Sequence, residues 1–141
     1  MKINTKIERA NVLHKSGYNC SQCVAMVFSE ITGLDDQTAA KVMAGFGGGV
    51  GGQAEICGAV SAMAMIEGFL REPGKETKLE TYRQVKAISE EFIAENGSII
   101  CRELRGESDE NVGNTQIKKK PCMLYIEDAI RLVENRISSD K

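Results

Sequence analysis

Apolar residues recur along most of this chain with the 3.6-residue period of helices that bury one face. Ile3, Ile7, Ala10 and Leu13 form a first stripe, which Gly17 ends. Cys20, Cys23, Val24, Val27, Phe28 and Ile31 form a second, with Asn19 placed as its N-cap and Gly33 just past its end. A third helix is expected after Asp35, carrying Ala39, Val42, Met43 and Phe46. From Gln53 to Leu70 the residues are apolar on nearly every side, the pattern of a buried central helix, and Pro73-Gly74 stops it. Leu79, Tyr82, Val85, Ile88 and Phe92 share one face of a long helix that runs to Asn96-Gly97. A short helical turn near Ile99–Arg105 and a polar loop come next. Pro121, suited to a first helical position, opens a last helix lined by Ile126, Ile130, Val133 and Ile137. No strand pattern of any length and no internal repeat interrupts this series. The expected fold is all-α, a single-domain bundle spanning residues 1–141. It should contain about five to seven helices around a buried central helix at about 53–70.

A chain of 141 residues is long enough for one domain with a full hydrophobic core. Its 42% hydrophobic and 27% charged residues are ordinary for a soluble globular protein, so composition alone selects no special class. The net charge of −2 gives no reason to expect nucleic acid or an anionic membrane as partner. Lys118-Lys119-Lys120 is the only basic run, too short to bind a polyanion, and reads as a solvated approach to the last helix. The opening MKINTKIERA mixes polar and apolar residues and is not a secretion signal. No apolar run is long enough to cross a bilayer. The expectation is a cytoplasmic protein, and a homodimer stays open.

Two features carry chemistry. Six glycines fall between Gly45 and Gly52, and Cys57 follows them. Glycine permits positive φ and close backbone approach but loses the most entropy on folding, so such a cluster marks close approach to something. The match to G-x-G-x-x-G at Gly47, Gly49 and Gly52 is weak, because no strand precedes it and no βαβ unit surrounds it. The cysteines are Cys20, Cys23, Cys57, Cys101 and Cys122, an odd number without a secretion signal, which argues against a disulfide framework. Cys20, Cys57, Cys101 and Cys122 all fall near expected helix starts, where free N–H groups and the helix dipole favour a thiolate. Against this stands simple burial, since cysteine is among the most buried residue types and Cys20 and Cys23 share an apolar helix face. Cys20-x-x-Cys23 alone fits a redox dithiol, half a zinc site or two core residues. His14, the only histidine, is far from the cysteines in sequence and fits a surface or half-buried position better than catalysis. With no second histidine, a Cys–His hydrolase has no obvious design.

The segments NCSQCV, CGAVSA after the glycine loop, CREL and the final PC together resemble a known family. It is the family of proteins, described as redox-active, that is named for its C-GCAxxG-C-C pattern. The likeness runs from Tyr18 to about Ile137. It places the family's four cysteines at Cys20, Cys57, Cys101 and Cys122, with Gly58 and Ala59 in the central motif. Cys23 is an addition, and Ala62 stands where the motif ends in glycine. The resemblance implies a redox role for these four thiols, with an unknown redox partner. Such a site suits an iron–sulfur cluster or zinc, for which Cys20, Cys57, Cys101 and Cys122 would be the ligands. Gly48, Gly49, Gly51, Gly52 and Gly58 would then bring backbone N–H groups close to a bound centre. A reversible thiol/disulfide pair is the cofactor-free form of the same idea. The alternatives are a structural zinc module and a helical interaction protein whose cysteines only pack.

A shared site requires the four sulfurs to converge in space. Cys23 should then be dispensable: Cys23→Ala keeps redox activity or bound metal and costs about 1 kcal/mol in urea unfolding, whereas Cys20→Ala abolishes the activity. The reverse outcome would mean that Cys23, not Cys20, belongs to the site.

Overall fold

The structure, a computed structural model, describes residues 2–106, 117 and 119–139. These residues form α1 (Ile3–Lys15), α2 (Cys20–Met26), α3 (Ser29–Thr32), α4 (Asp36–Met43), α5 (Gly58–Phe69), α6 (Lys78–Asn96), α7 (Cys101–Leu104) and α8 (Cys122–Ser139). A 3₁₀ turn, Ala44–Phe46, extends α4. The fold is all-α, as the periodicity predicts. Its helices exceed the expected number because the second stripe and the polar connections break into short pieces. None of the described helices is long and apolar enough to cross a membrane. Lys118 and most of the polar loop expected after Arg105 lie outside the described residues.

α5 is the hub. Ala59, Val60, Ala62, Met63 and Ile66 are buried along it, and α2, α6 and α8 pack around it. Val24 and Phe28 from the α2 region, Ile88 and Phe92 from α6, and Ile126 and Ile130 from α8 complete one hydrophobic cluster. Phe92 and Tyr125 join α6 to α8 through tilted rings with centroids 6.1 Å apart. Charge also enters this packing. Lys6 is buried, bonded by its Nζ to Glu30 at 2.5 Å and to Glu134 at 2.6 Å, and lies over the Phe28 ring. It ties α1 to α3 and α8.

Several expectations are corrected. The second stripe does not form one helix. The chain leaves helical geometry at Val27 and Phe28, and Arg9 Nη1 donates to the freed Met26 carbonyl at 3.1 Å, which offsets the break. Val42 and Phe46 of the third stripe are exposed, as are Leu79 and Tyr82 on α6, where burial begins only at Ile88. The central helix starts at Gly58 rather than near Gln53, so Cys57 is its N-cap residue and not part of its first turns.

The residues before Cys57 do something else. Gly48 to Gly52 are five consecutive residues with φ between 58° and 76°, one turn wound in the left-handed sense. L-residues pay for this conformation with a clash of Cβ, which is why four of the five are glycine. The turn is closed by its own backbone: Ala54 N–H donates to Gly48 O at 2.9 Å and Glu55 N–H to Gly49 O at 3.0 Å. The chain then pairs with the segment before α7. Ile56 and Ile100 form an antiparallel bridge, Cys57 N–H donates to Ile99 O at 2.8 Å, and Cys101 N–H donates to Glu55 O at 2.6 Å. The starts of α5 and α7 are thereby fixed side by side.

The start of α2 is fixed by a capping box. Asn19 Oδ1 accepts from Gln22 N–H at 3.0 Å while Gln22 Oε1 accepts from Asn19 N–H at 2.9 Å. Asn19 Nδ2 also donates to Ala44 O at 3.1 Å, and Ser21 Oγ to Met43 O at 2.8 Å, which docks this end on α4. Asn19→Ala removes the cap and the tie together, and should lower unfolding stability by about 1–2 kcal/mol, read as a lower urea midpoint at unchanged slope.

Candidate functional site

Four elements begin around one half-open cavity of about 200 Å³. α2 contributes Cys20, α5 contributes Cys57 and Gly58, α7 contributes Cys101, and α8 contributes Cys122. The left-handed turn adds Gly48. The rest of the described lining is His14, Asn19, Leu104, Arg105 and Tyr125. Cys57 and Cys101 are buried, Cys20 is half-buried and Cys122 is exposed. The Ile56–Ile100 bridge explains one pairing, because positions flanking such a bridge project from the same face of the two strands and 57 and 101 are both of this kind.

Cys20 and Cys57 face one another closely enough for the Cys57 thiol to act on the Cys20 sulfur as a donor. The Cys57 bond is the largest influence on Cys20 and lowers its thiol to about 6, against burial, with further help from the N–H groups of Gly48, Ser21 and Gly58. These donors come from the left-handed turn, the start of α2 and the start of α5. Three chain ends therefore present N–H groups to one sulfur. Cys57 is driven the opposite way, chiefly because it gives its S–H to Cys20, then by burial and by the Cys20 charge. The pair at neutral pH is a Cys20 thiolate accepting from a Cys57 thiol. Burial, reinforced by the Cys20 charge, pushes the exposed-end thiol of Cys122 up.

Cys23 stands apart. It is fully buried, its Sγ donates to Tyr18 O at 3.6 Å, and burial pushes its thiol up to about 12. It is a protonated core residue at neutral pH, and it does not line the cavity.

The glycines divide between two tasks. Gly48 and Gly58 line the cavity, whereas Gly49, Gly51 and Gly52 are not among its described lining residues and build the left-handed turn. Gly58 is required by space. A Cβ there would lie 2.4 Å from Cys20 Sγ and 3.1 Å from both Phe46 O and Ser21 N. Only a residue without a side chain lets the Cys20 sulfur reach the N–H groups at the start of α5.

Five described lining residues were not among the expected site residues: His14, Asn19 (expected only as a cap), Leu104, Arg105 and Tyr125. Arg105 lies four positions after Cys101 and Tyr125 three after Cys122, both same-face helical spacings that were available to be read. Tyr125 donates its hydroxyl to Leu104 O at 3.0 Å, and burial pushes it up. His14 had no local signal, since only the packing of α1 brings it to the cysteines.

Residues 18–136 match the family described as "Putative redox-active protein (C_GCAxxG_C_C)". The chain belongs to this family. The matched range includes the four cysteines that line the cavity. Comparison with curated proteins and with solved structures returned no match. Among the described residues, no three Cys, His, Asp or Glu side chains gather closely enough to hold a metal ion. The four thiols share the lining of one cavity without forming such a group among the described residues.

Because Gly58 is limited by space, Gly58→Ala should destabilise the protein by about 1–3 kcal/mol and raise the pH at which Cys20 reacts. Urea unfolding measures the first effect and alkylation against pH the second. A variant with unchanged Cys20 reactivity would show that the α5 N–H groups do not support the thiolate.

Proposed function

We propose that this protein is a thiol–disulfide redox protein in which Cys20 supplies the attacking thiolate and Cys57 completes a disulfide with it. The observation that carries this reading is the placement of Cys20 and Cys57 in one cavity, with the Cys20 sulfur set against Gly58 and Ser21 N at the starts of α5 and α2. A thiol of pKa about 6 is largely thiolate at neutral pH and is the nucleophile of such exchange.

The reaction balances with these two residues and a disulfide substrate, RSSR. The Cys20 thiolate attacks one substrate sulfur, the S–S bond breaks, and RS⁻ departs from a Cys20–S–S–R intermediate. Cys20 is now uncharged, so both its hydrogen bond and its charge cease to hold the Cys57 proton in place. The N–H groups of Ala59 and Val60 favour the Cys57 thiolate as that proton leaves. Cys57 gives its proton to a departing thiolate and attacks the Cys20 sulfur, which expels the second RS⁻. The two protein thiols lose two electrons, and the substrate gains them as one thiol and one thiolate. Two equivalents of an external thiol reverse the cycle.

The second reading, a thiolate-bound iron–sulfur cluster or zinc ion, is supported by the four thiols sharing one cavity. It requires Cys101 and Cys122 to close on the Cys20–Cys57 pair. Stoichiometric iron or zinc in anaerobically purified protein, with a brown colour for a cluster, would replace the dithiol reading.

The direct test is alkylation of the metal-free, reduced protein against pH, followed residue by residue by mass spectrometry. Cys20 gains reactivity as pH rises through its folded-state value, so half-maximal labelling is expected at about 6. Cys57→Ala removes the largest lowering influence and should move this midpoint upward. After mild oxidation, peptide mapping should find a Cys20–Cys57 disulfide. A wild-type midpoint at the free-thiol value of about 8.5 would overturn the proposal.

A further inference from the structure

The cavity holds two further thiols that the Cys20–Cys57 exchange does not use. Cys101 is buried at the start of α7, and Cys122 is exposed at the start of α8. Each stands three residues before a second lining residue, Leu104 on α7 and Tyr125 on α8. Those two are bonded: the buried Tyr125 hydroxyl donates to Leu104 O at 3.0 Å. The bond ties α7 to α8 within the cavity wall, one helical turn beyond both cysteines. Cys122 is also near enough to Cys20 and to Cys101 for the charge of either to act on it. The four thiols therefore fall into two pairs of the same make. Each joins a buried thiol to a more accessible one, Cys57 to Cys20 and Cys101 to Cys122.

We propose that Cys101 and Cys122 are a second dithiol, which reduces the Cys20–Cys57 disulfide and carries electrons inward from the exposed Cys122 sulfur. This deepens the dithiol reading and rests on it. Cys122 loses its proton to solvent and attacks the Cys20 sulfur, the more accessible of the two in the disulfide. The Cys20–Cys57 bond breaks, and Cys57 leaves as thiolate and takes a proton. Cys101 then gives up its proton and attacks the Cys122 sulfur of the Cys20–Cys122 intermediate, which expels the Cys20 thiolate. Two electrons have passed from one pair to the other, and one proton has gone to solvent. The new disulfide is opened from outside by a thiol, RSH. It attacks the Cys122 sulfur, and Cys101 leaves and takes up the proton. A second RSH attacks the R sulfur, which releases RSSR and the Cys122 thiol.

Two features set this direction. The N–H groups of Ser21, Gly48 and Gly58 favour a charge on Cys20, and a disulfide carries none. They therefore stabilise the reduced form of the Cys20–Cys57 pair and make its disulfide the stronger oxidant of the two. Burial and then the Cys20 charge oppose a thiolate at Cys122. Once the Cys20–Cys57 disulfide has formed, that charge is gone. Cys122 thus gains nucleophilic character when there is a disulfide for it to attack.

The experiment mixes the full-length, reduced, metal-free protein with a substoichiometric amount of 2-hydroxyethyl disulfide. Samples are quenched with acid at successive times, alkylated, and their linkages mapped by mass spectrometry. A Cys20–Cys57 linkage should appear first and give way to Cys101–Cys122. The exposed-site variant Cys122→Ser should lose the second linkage and retain the first. Cys101→Ser should instead reveal a Cys20–Cys122 linkage, the intermediate of the transfer. Should that buried-site variant not fold, the wild-type time course and Cys122→Ser decide. A Cys20–Cys57 linkage that persists in the wild type, with no Cys101–Cys122 linkage, would overturn the inference and leave the dithiol reading standing. A Cys101–Cys122 linkage that forms as fast in Cys20→Ser would overturn it equally. Absence of a Cys20–Cys57 linkage at every time in Cys122→Ser would instead overturn the dithiol reading beneath it.

Discussion

The sulfur of Cys20 rests against the α-carbon of Gly58, and the site depends on there being no side chain between them. Burial opposes a charge on this sulfur, because a thiolate loses its water when enclosed. What offsets burial is a group of donors already oriented by folding: the Cys57 thiol, the first N–H groups of α2 and α5, and the leading N–H of the left-handed turn. None of these needs to reorganise when the charge appears. Each depends on a separate local device, namely the Asn19–Gln22 capping box, the side-chain-free Gly58 and the run of glycines before it.

Those devices differ in how far a sequence betrays them. Asn19 and Asp35 were legible as caps and Gly33 and Gly97 as helix ends, because capping chemistry is local. The glycine cluster announced close approach but not handedness. Glycine content states that a backbone is permissive, while the direction of winding is fixed only when Ala54 and Glu55 find Gly48 and Gly49. Periodicity overstated burial at Val42, Phe46, Leu79 and Tyr82, which are exposed. The first stripe, Ile3, Ile7, Ala10 and Leu13, does pack on the core, but periodicity gave no sign that Lys6 on the same face is buried too, held by two glutamates from other helices. An ion pair between residues more than a hundred positions apart leaves no mark on a helical wheel.

The cysteines were partly legible for a similar reason. Their placement near helix starts is a local property, and the family pattern separates Cys20 from Cys23. The structure gives that separation a physical content: one sulfur faces N–H donors and the cavity, while the other, one turn later, donates to the Tyr18 carbonyl inside the core. Of the cavity's other residues, His14 was hidden because it arrives through tertiary packing, whereas Arg105 and Tyr125 stood at helical spacing from two of the cysteines. His14 comes from the end of α1, and Arg105 and Tyr125 from the helices that carry Cys101 and Cys122.

The bridge between Ile56 and Ile100 has a consequence for motion. α7 is only four residues long, too short to persist as an isolated helix, so its geometry exists through docking. The two hydrogen bonds beside the bridge begin at the backbone N–H groups of Cys57 and Cys101 themselves. Loss of the bridge therefore unmoors both thiols in one event. The segments before α5 and α7 are coupled through this pairing, so amide exchange at positions 57 and 101 is expected to proceed at a common rate. Exposure of the Cys57 sulfur and of the Cys101 sulfur is then one fluctuation, not two.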